Sequence, residues 1–399
     1  MKRVRVTRRS VIGGLGVTLA GPGLLESQQD PFRDHSRVPG MEELKTALDF
    51  EPVAFAKLPR EVYSYTAHGS AGEFTVRRNR QAFDWVELVP RGVVDVSSIH
   101  TATEVLGTRM AFPIIVSPSA AHGPLHRDGE AGTHVGATAA SNTPMIISVN
   151  TTVPVEKIAA AATGPLWFQF YPREDLDATK ELLDKVLTAG CRTIVMTVDQ
   201  QASYYERSLH DRHLAAAPLG RGGAGAGGFG GGRGGGGAAN AYRVPQGRLW
   251  YNWKYADDVR SMLKVPLLAK GVLTGEDAKA FVEHGFDGIY VSNHGGRSLD
   301  YDPATLEVLT EIVDAVPGRV PVLFDSGIRS GSDILKALAL GAKAVCIGRA
   351  VRWGLAAYGP PGVTRVLEIL QGELVLAMAQ TGRPDLASVD RTLVRTRFS

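Results

Sequence analysis

Eight apolar stretches of the chain each run into polar or charged residues. The first ends in Ser117-Pro118-Ser119-Ala120, the second near Ser148, the third with Gln169 and Tyr171, and the fourth with Thr197 and Asp199. The fifth ends at Lys270-Gly271 and the sixth in Ser292-Asn293-His294-Gly295-Gly296-Arg297. The seventh ends in Asp325-Ser326-Gly327-Ile328-Arg329 and the eighth in Gly348-Arg349. Such groups at the ends of buried segments cost free energy unless they satisfy one another or a ligand. Their recurrence at the same end of every stretch points to one shared site rather than eight coincidences. The last two ends combine glycine with arginine. Glycine lets backbone N–H groups approach an anion, and arginine adds a forked cation. A phosphate-bearing cofactor is the economical inference.

The elements that must position these groups follow from periodicity. Short apolar runs over 114–117, 145–149, 167–171, 193–199, 267–272, 288–294, 322–328 and 344–349 read as buried strands. Helical patterns follow them over 130–141, 155–162, 174–189, 253–263, 275–284, 303–315, 332–340 and 363–380. Eight strand–helix units in succession predict an α/β fold of the (β/α)8 or TIM-barrel type, whose site lies at the C-terminal strand ends. The loops after the seventh and eighth strands are the usual phosphate site of that architecture. Residues 27–110 read as a helical N-terminal extension packed on the barrel, 111–382 as the barrel, and 383–399 as a C-terminal tail.

The fourth strand-to-strand gap, from 193 to 267, is the long one. Within it, 13 of the 18 residues from Gly220 to Gly237 are glycine. Such a stretch has almost no apolar area to bury, so a flexible insertion over 215–241, after strand four, is expected. Its Gly225, Gly227 and Gly230 match a dinucleotide-binding pattern, but no strand leads in and no helix leaves, so that reading is rejected.

Composition narrows the function further. The 399 residues are 44% hydrophobic and 21% charged, with a formal net charge of +3. Lys2, Arg3, Arg5, Arg8 and Arg9 account for that excess. The rest is slightly acidic, which gives no reason to expect a nucleic-acid partner. Cys191 and Cys346 lie far apart in apolar runs and read as buried free thiols, with neither a metal site nor a disulfide framework implied. Residues 1–26 resemble a twin-arginine export signal: Thr7-Arg8-Arg9-Ser10 precedes an apolar run from Val11 to Ala20, too short to span a bilayer as a helix. A periplasmic or exported location is therefore expected, with the cytoplasm as the alternative.

Ser292-Asn293-His294-Gly295-Gly296-Arg297-Ser298-Leu299-Asp300 resembles the active-site signature of the FMN-dependent α-hydroxy-acid oxidases and dehydrogenases. The similarity extends over about residues 40–382. It includes Leu58-Pro59-Arg60-Glu61-Val62-Tyr63, Phe168-Gln169-Phe170-Tyr171, Thr197-Val198-Asp199 and Ala269-Lys270-Gly271-Val272-Leu273-Thr274. The resemblance implies FMN as cofactor. It makes His294 the base that takes the proton of a 2-hydroxy acid, and Asp199 its carboxylate partner, whose charge is expected to raise the His pKa. Lys270 matches the cation beside flavin N1 and O2, and Ser119 and Ala120 match the N5 face. Ser148, Gln169, Thr197 and Ser292 match contacts to the flavin. Asp325 matches the ribityl region, and Gly327, Arg329, Gly348 and Arg349 match the phosphate. Tyr65, Tyr171 and Arg297 match substrate contacts.

The resemblance breaks in the substrate pocket. The family's second substrate arginine falls within Tyr205-Glu206-Arg207-Ser208-Leu209-His210-Asp211. Aligning Glu206 and Leu209 places Tyr205 there, with Arg207 two residues on as the alternative. Asn150 stands where glycolate oxidase has a bulky aromatic. An exported flavin oxidoreductase is expected, acting on a 2-hydroxy acid or related CH–OH compound, with small free acids such as lactate handled poorly. Electrons would pass to oxygen or an electron carrier, and a homo-oligomer, a tetramer by resemblance, is implied. The alternative is a flavin-binding barrel for a larger or non-carboxylate substrate, or one kept as a binding protein without turnover.

Overall fold

The computed structural model describes residues 37–199 and 251–398. The segments 1–36, 200–250 and residue 399 lie outside it, and with them the export-signal reading, the glycine-rich insertion, Tyr205 and Arg207. The chain divides into two units, one ending at Leu44 and the other running from Lys45 onwards. In the first, a 3-10 turn spans Met41–Glu43 and the Arg37 guanidinium pairs with Glu43 at 2.7 Å.

In the second unit, eight parallel strands close into a barrel: β1 (Ile114–Val116), β2 (Met145–Ser148), β3 (Leu166–Phe170), β4 (Ile194–Thr197), β5 (Leu267–Val272), β6 (Gly288–Val291), β7 (Val322–Phe324) and β8 (Ala344–Ile347). They neighbour one another in sequence order, and β8 closes on β1 through Val345–Ile114 and Cys346–Ile115. Every strand but β5 is buried at each position, as expected for a parallel sheet covered on both faces. The outer helices are α1 (Gly129–Ala139), α2 (Val155–Ala161), α3 (Leu176–Thr188), α4 (Trp253–Met262), α5 (Gly275–Glu283), α6 (Thr305–Ala315), α7 (Gly331–Ala339) and α8 (Arg349–Gln380). Several start where a side chain satisfies an orphan N–H. Asp175 accepts from Ala178 N, Thr274 from Asp277 N, and Ser330 from Asp333 N while Asp333 accepts from Ser330 N.

The barrel interior is packed, not hollow. Ile115, Ile146, Trp167, Val195, Leu268, Tyr290, Leu323 and Cys346 form one buried cluster. A hairpin of Thr103–Val105 and Thr108–Met110 adds Val105 and Met110 to it, and Trp167 Nε1 donates to Thr108 Oγ1 at 3.0 Å. This hairpin precedes β1 and stops the N-terminal mouth, which leaves the C-terminal strand ends as the open side. Helices Phe50–Lys57, Arg60–Ala67 and Phe74–Asp84 precede the hairpin, and strand Val86–Leu88 pairs antiparallel with Val394–Thr396 near the C-terminus.

One boundary differs from the sequence expectation. The last helix begins at Arg349, not near 363, so Arg349 opens α8 rather than ending a strand, and Gly348 is its N-cap. The helix breaks at Tyr358 and at Gly359, whose φ is +65°, just before Pro360-Pro361. Proline has no N–H for the helical ladder and clashes with the preceding turn, so the break falls there. The Gly-Pro-Pro segment hides the first two turns of α8 from a periodicity reading.

Candidate active site

The C-terminal ends of the strands surround one cavity. Its walls include Tyr65, Ser119, Ala120, Ser148, Gln169, Tyr171, Thr197, Lys270, His294, Arg297, Asp325, Gly327, Arg329, Gly348 and Arg349. All were expected at the site from sequence. Asp199 stands behind His294, and Ser292 lies beneath it, its Oγ accepting from His294 N at 3.1 Å. Asn150 is not part of the wall; its carbonyl accepts from Ala121 N at 3.2 Å.

His294 follows β6 with φ +58°, a left-handed conformation uncommon outside glycine, and Gly295 and Gly296 continue it. The turn is held from two sides. Gly296 N donates to Asn293 Oδ1 at 3.1 Å, and Asn293 exchanges amide hydrogen bonds with Asn79 at 2.9 and 2.8 Å. Both amides are buried, so the N-terminal extension fixes the loop that carries the histidine. Asp300, eight residues beyond Ser292, accepts from Gly72 N and Thr75 N at 2.9 and 3.0 Å.

His294 Nδ1 lies 3.0 and 3.1 Å from the two carboxylate oxygens of Asp199, and Nε2 lies 3.4 Å from the Tyr171 hydroxyl. Lys270 Nζ is 3.4 Å from His294 Nδ1 and 3.8 Å from Asp199 Oδ2. The Asp199 and Lys270 side chains are 6% and 3% exposed and His294 20%; His294 and Lys270 line the cavity, with the imidazole the more open of the two. Burial alone would push the Asp199 carboxyl up. The His294 and Lys270 charges and the hydrogen bond from His294 outweigh it, and the pKa falls below the usual carboxylate value. The expected rise in the His294 pKa does not occur. Burial, with Lys270 and Arg297 adding like charge, outweighs the upward pull of Asp199 and lowers it. A neutral imidazole backed by a charged carboxylate is a proton acceptor ready for use.

Along the other wall, hydroxyl and amide groups run from strand to strand. Ser148 Oγ donates to Gln169 Oε1 at 3.1 Å, and Gln169 Nε2 to Thr197 Oγ1 at 2.8 Å. Asp325 accepts from Tyr290 and Ser117 hydroxyls at 2.8 and 3.2 Å and from Ser326 Oγ at 2.9 Å. Gly327 has φ +88°, and a Cβ there would meet the Asn79 carbonyl oxygen at 2.3 Å, so only glycine fits this turn. A Cβ at Gly348 would meet nothing nearer than Ser117 Cβ at 3.8 Å, so that wall faces the cavity openly. Arg349 donates to the carbonyls of Thr66, Gly295 and His68. Burial and the neighbouring Arg297 and Arg329 push its pKa down to about 9.

Three groups at the site went unnoticed in the sequence. Arg352, one turn after Arg349, lines the cavity and is 4% exposed. His122 Nε2 lies 2.7 Å from Ser119 Oγ, and its Nδ1 lies 2.8 Å from Thr133 Oγ1. Glu130 accepts from His122 N and from Thr152 N and Oγ1, tying the β1–α1 loop to the loop after β2. The i, i+3 spacing of Arg349 and Arg352 was the one signal available.

A closed parallel barrel with a basic, glycine-lined pocket and a carboxylate-backed histidine at its C-terminal mouth defines a TIM-barrel enzyme built around an anionic cofactor. A family model described as FMN-dependent dehydrogenase matches residues 54–396. A peroxisomal (S)-2-hydroxyacid oxidase of Arabidopsis thaliana is 39% identical over 356 residues, 89% of this chain and 98% of its own. Glycolate oxidase 1 of Oryza sativa subsp. indica is 37% identical over 358 residues, with 89% and 97% covered. The crystal structure of mandelate oxidase superposes with a TM-score of 0.79 at 35% identity, covering 89% of this chain and 99% of that one. The chain belongs to the FMN-dependent dehydrogenase family, and it is an oxidoreductase of the FMN-dependent 2-hydroxy-acid oxidase and dehydrogenase type.

The cavity suits that cofactor. Buried Lys270 offers a cation, Ser148, Gln169 and Thr197 offer ring-edge donors and acceptors, and the Gly327–Arg329 turn with the N-terminus of α8 offers a cradle for a phosphate.

Proposed function

We propose that this enzyme oxidises the CH–OH centre of a 2-hydroxy acid with His294 as base. The hydrogen bond between His294 and Asp199 is the observation that carries this reading. Bound FMN supplies the two-electron acceptor. As the CH–OH carbon becomes a carbonyl, His294 takes up a proton at Nε2, the nitrogen turned away from Asp199. Asp199 holds the ring and stabilises the imidazolium that forms, which lowers the barrier without taking the proton itself. Tyr171 and Arg297 orient the substrate, and Lys270 supports negative charge on the acceptor. A binding role without turnover has no use for a buried carboxylate–histidine pair, so turnover is favoured.

The electrons pass onward to oxygen or to an electron carrier. Resemblance to the family supports a homo-oligomer, and Thr7-Arg8-Arg9-Ser10 supports export through the twin-arginine route. An anaerobic screen of 2-hydroxy acids against the holoprotein, followed by flavin absorbance, tests the reaction. Bleaching by at least one acid supports it, and a flavin that stays oxidised with all of them removes it. Replacing Arg8 and Arg9 by lysine should hold the protein in the cytoplasm, and unchanged export would remove the location.

A further inference from the structure

We infer that Arg352 is a substrate-anion ligand, forming with Arg297 a pair of cations beside Tyr65 that receives the carboxylate of the acid. This deepens the functional reading above and rests on it.

Arg352 stands in the first turn of α8, facing the cavity. Its guanidinium bridges two parts of the site. Nε and Nη2 donate to Thr66 Oγ1 at 3.1 and 2.9 Å, next in sequence to Tyr65. Nη1 donates to the carbonyl of Ala120, and Nη2 to that of Ala121 at 3.4 Å. These are neutral acceptors, and they occupy four of the five N–H groups of the side chain. Among the described residues no carboxylate pairs with Arg352. Glu130 favours the Arg352 charge from nearby without a direct ion pair, and a buried cation whose direct partners are all neutral is expensive until an anion joins it. Burial, helped by the Arg297 charge and opposed by Tyr65 and Glu130, pushes its pKa down to about 10, so it still carries its charge near neutral pH.

The location favours the substrate over the cofactor phosphate as that anion. The Arg352 carbon Cζ lies 5.8 Å from the centre of the Tyr65 ring, and Arg297 Cζ lies 4.8 Å from it. The family resemblance places Tyr65 at the substrate and Ala120 at the flavin N5 face, and Arg352 touches the neighbourhood of both. Arg329 and Gly327 provide for the phosphate from β7. The sequence expectation that small free acids are poor substrates assumed a single cation. A second guanidinium in the cavity restores the charge whatever stands at position 205.

The test uses the FMN-loaded enzyme and two readouts. Oxalate is titrated while flavin absorbance is followed, and KM and kcat are measured with (S)-mandelate and (S)-lactate. A charge-assisted contact of this kind should make Arg352→Met raise the oxalate Kd and the KM by about 10- to 100-fold. FMN content should stay the same and kcat should fall less than KM rises. Unchanged oxalate affinity in a folded, yellow Arg352→Met protein overturns the proposal and leaves Arg352 as a tie between Thr66 and Ala120. If that variant does not fold, Arg352→Lys decides. It keeps the charge but loses the fork, so a rise of roughly 3- to 10-fold is expected and no rise overturns the proposal. Wild-type protein that no 2-hydroxy acid reduces would remove the functional reading itself, a result separate from either outcome for Arg352.

Discussion

Gly271 makes room for Asp199. A Cβ at position 271 would lie 2.5 Å from Asp199 Cβ and 2.8 Å from its carboxyl carbon, and φ at Gly271 is +107°. The same glycine marks the register shift between β5 and β6, just past Lys270. One backbone irregularity thus lets the carboxylate sit between the lysine and the histidine.

Gly271→Ala should therefore strain the backbone and displace Asp199 together. Strain of this kind costs about 1–3 kcal/mol, so the melting temperature should drop by several degrees. The kcat should fall at least tenfold, with FMN still bound. Thermal melts and steady-state rates check this, and wild-type kcat in the alanine variant would mean that the position of Asp199 does not matter.

The pH dependence follows from the His294 surroundings. The base works in its neutral form, so kcat/KM rises with pH through its pKa. That pKa lies below the ordinary 6.5, and the acid limb should lie there too. Asp199 is the group that pulls it upward, so Asp199→Asn should move the limb to still lower pH. The same change should reduce kcat by about 10²- to 10⁴-fold, because the imidazolium loses its partner. A limb that moves to higher pH in Asp199→Asn would contradict the assignment.

A second buried histidine bears on stability rather than rate. Burial and the Arg352 charge push the pKa of His122 down to about 4 from 6.5. The unfolded chain then binds a proton that the folded one does not between those values, so stability falls as pH drops from 6.5 towards 4. The loss attributable to His122 is up to about 3 kcal/mol. His122→Gln should flatten the acid-side decline measured by denaturant unfolding at pH 6.5 and 4.5. An equally steep decline in the variant would place the acid sensitivity elsewhere.

The barrel and most of the pocket were legible because strand-end groups are local in sequence. His294, Lys270, Gln169 and Arg329 each follow an apolar run, and the fold gathers them at one mouth. What the sequence hid was tertiary. The Asn79–Asn293 pair joins residues 214 positions apart, and nothing local to either predicts it. Arg352 falls between the expected eighth strand and the expected helix over 363–380, and gains its place facing the cavity only once α8 is seen to begin at Arg349. The direction of the His294 shift was misjudged for a similar reason. Sequence resemblance supplied its one carboxylate partner, whereas its pKa answers to burial and to Lys270 and Arg297 as well.

The role of His294 is tested most directly by single-turnover reduction. Wild-type and His294→Ala holoproteins are mixed anaerobically with the 2-hydroxy acid that bleaches the wild type best, and flavin absorbance is followed. The alanine variant should hold FMN as the wild type does, because the groups suited to the phosphate and ring come from other strands, while its reduction rate should fall by at least about 10²- to 10⁴-fold. Reduction at the wild-type rate would contradict the account and assign the proton to another group.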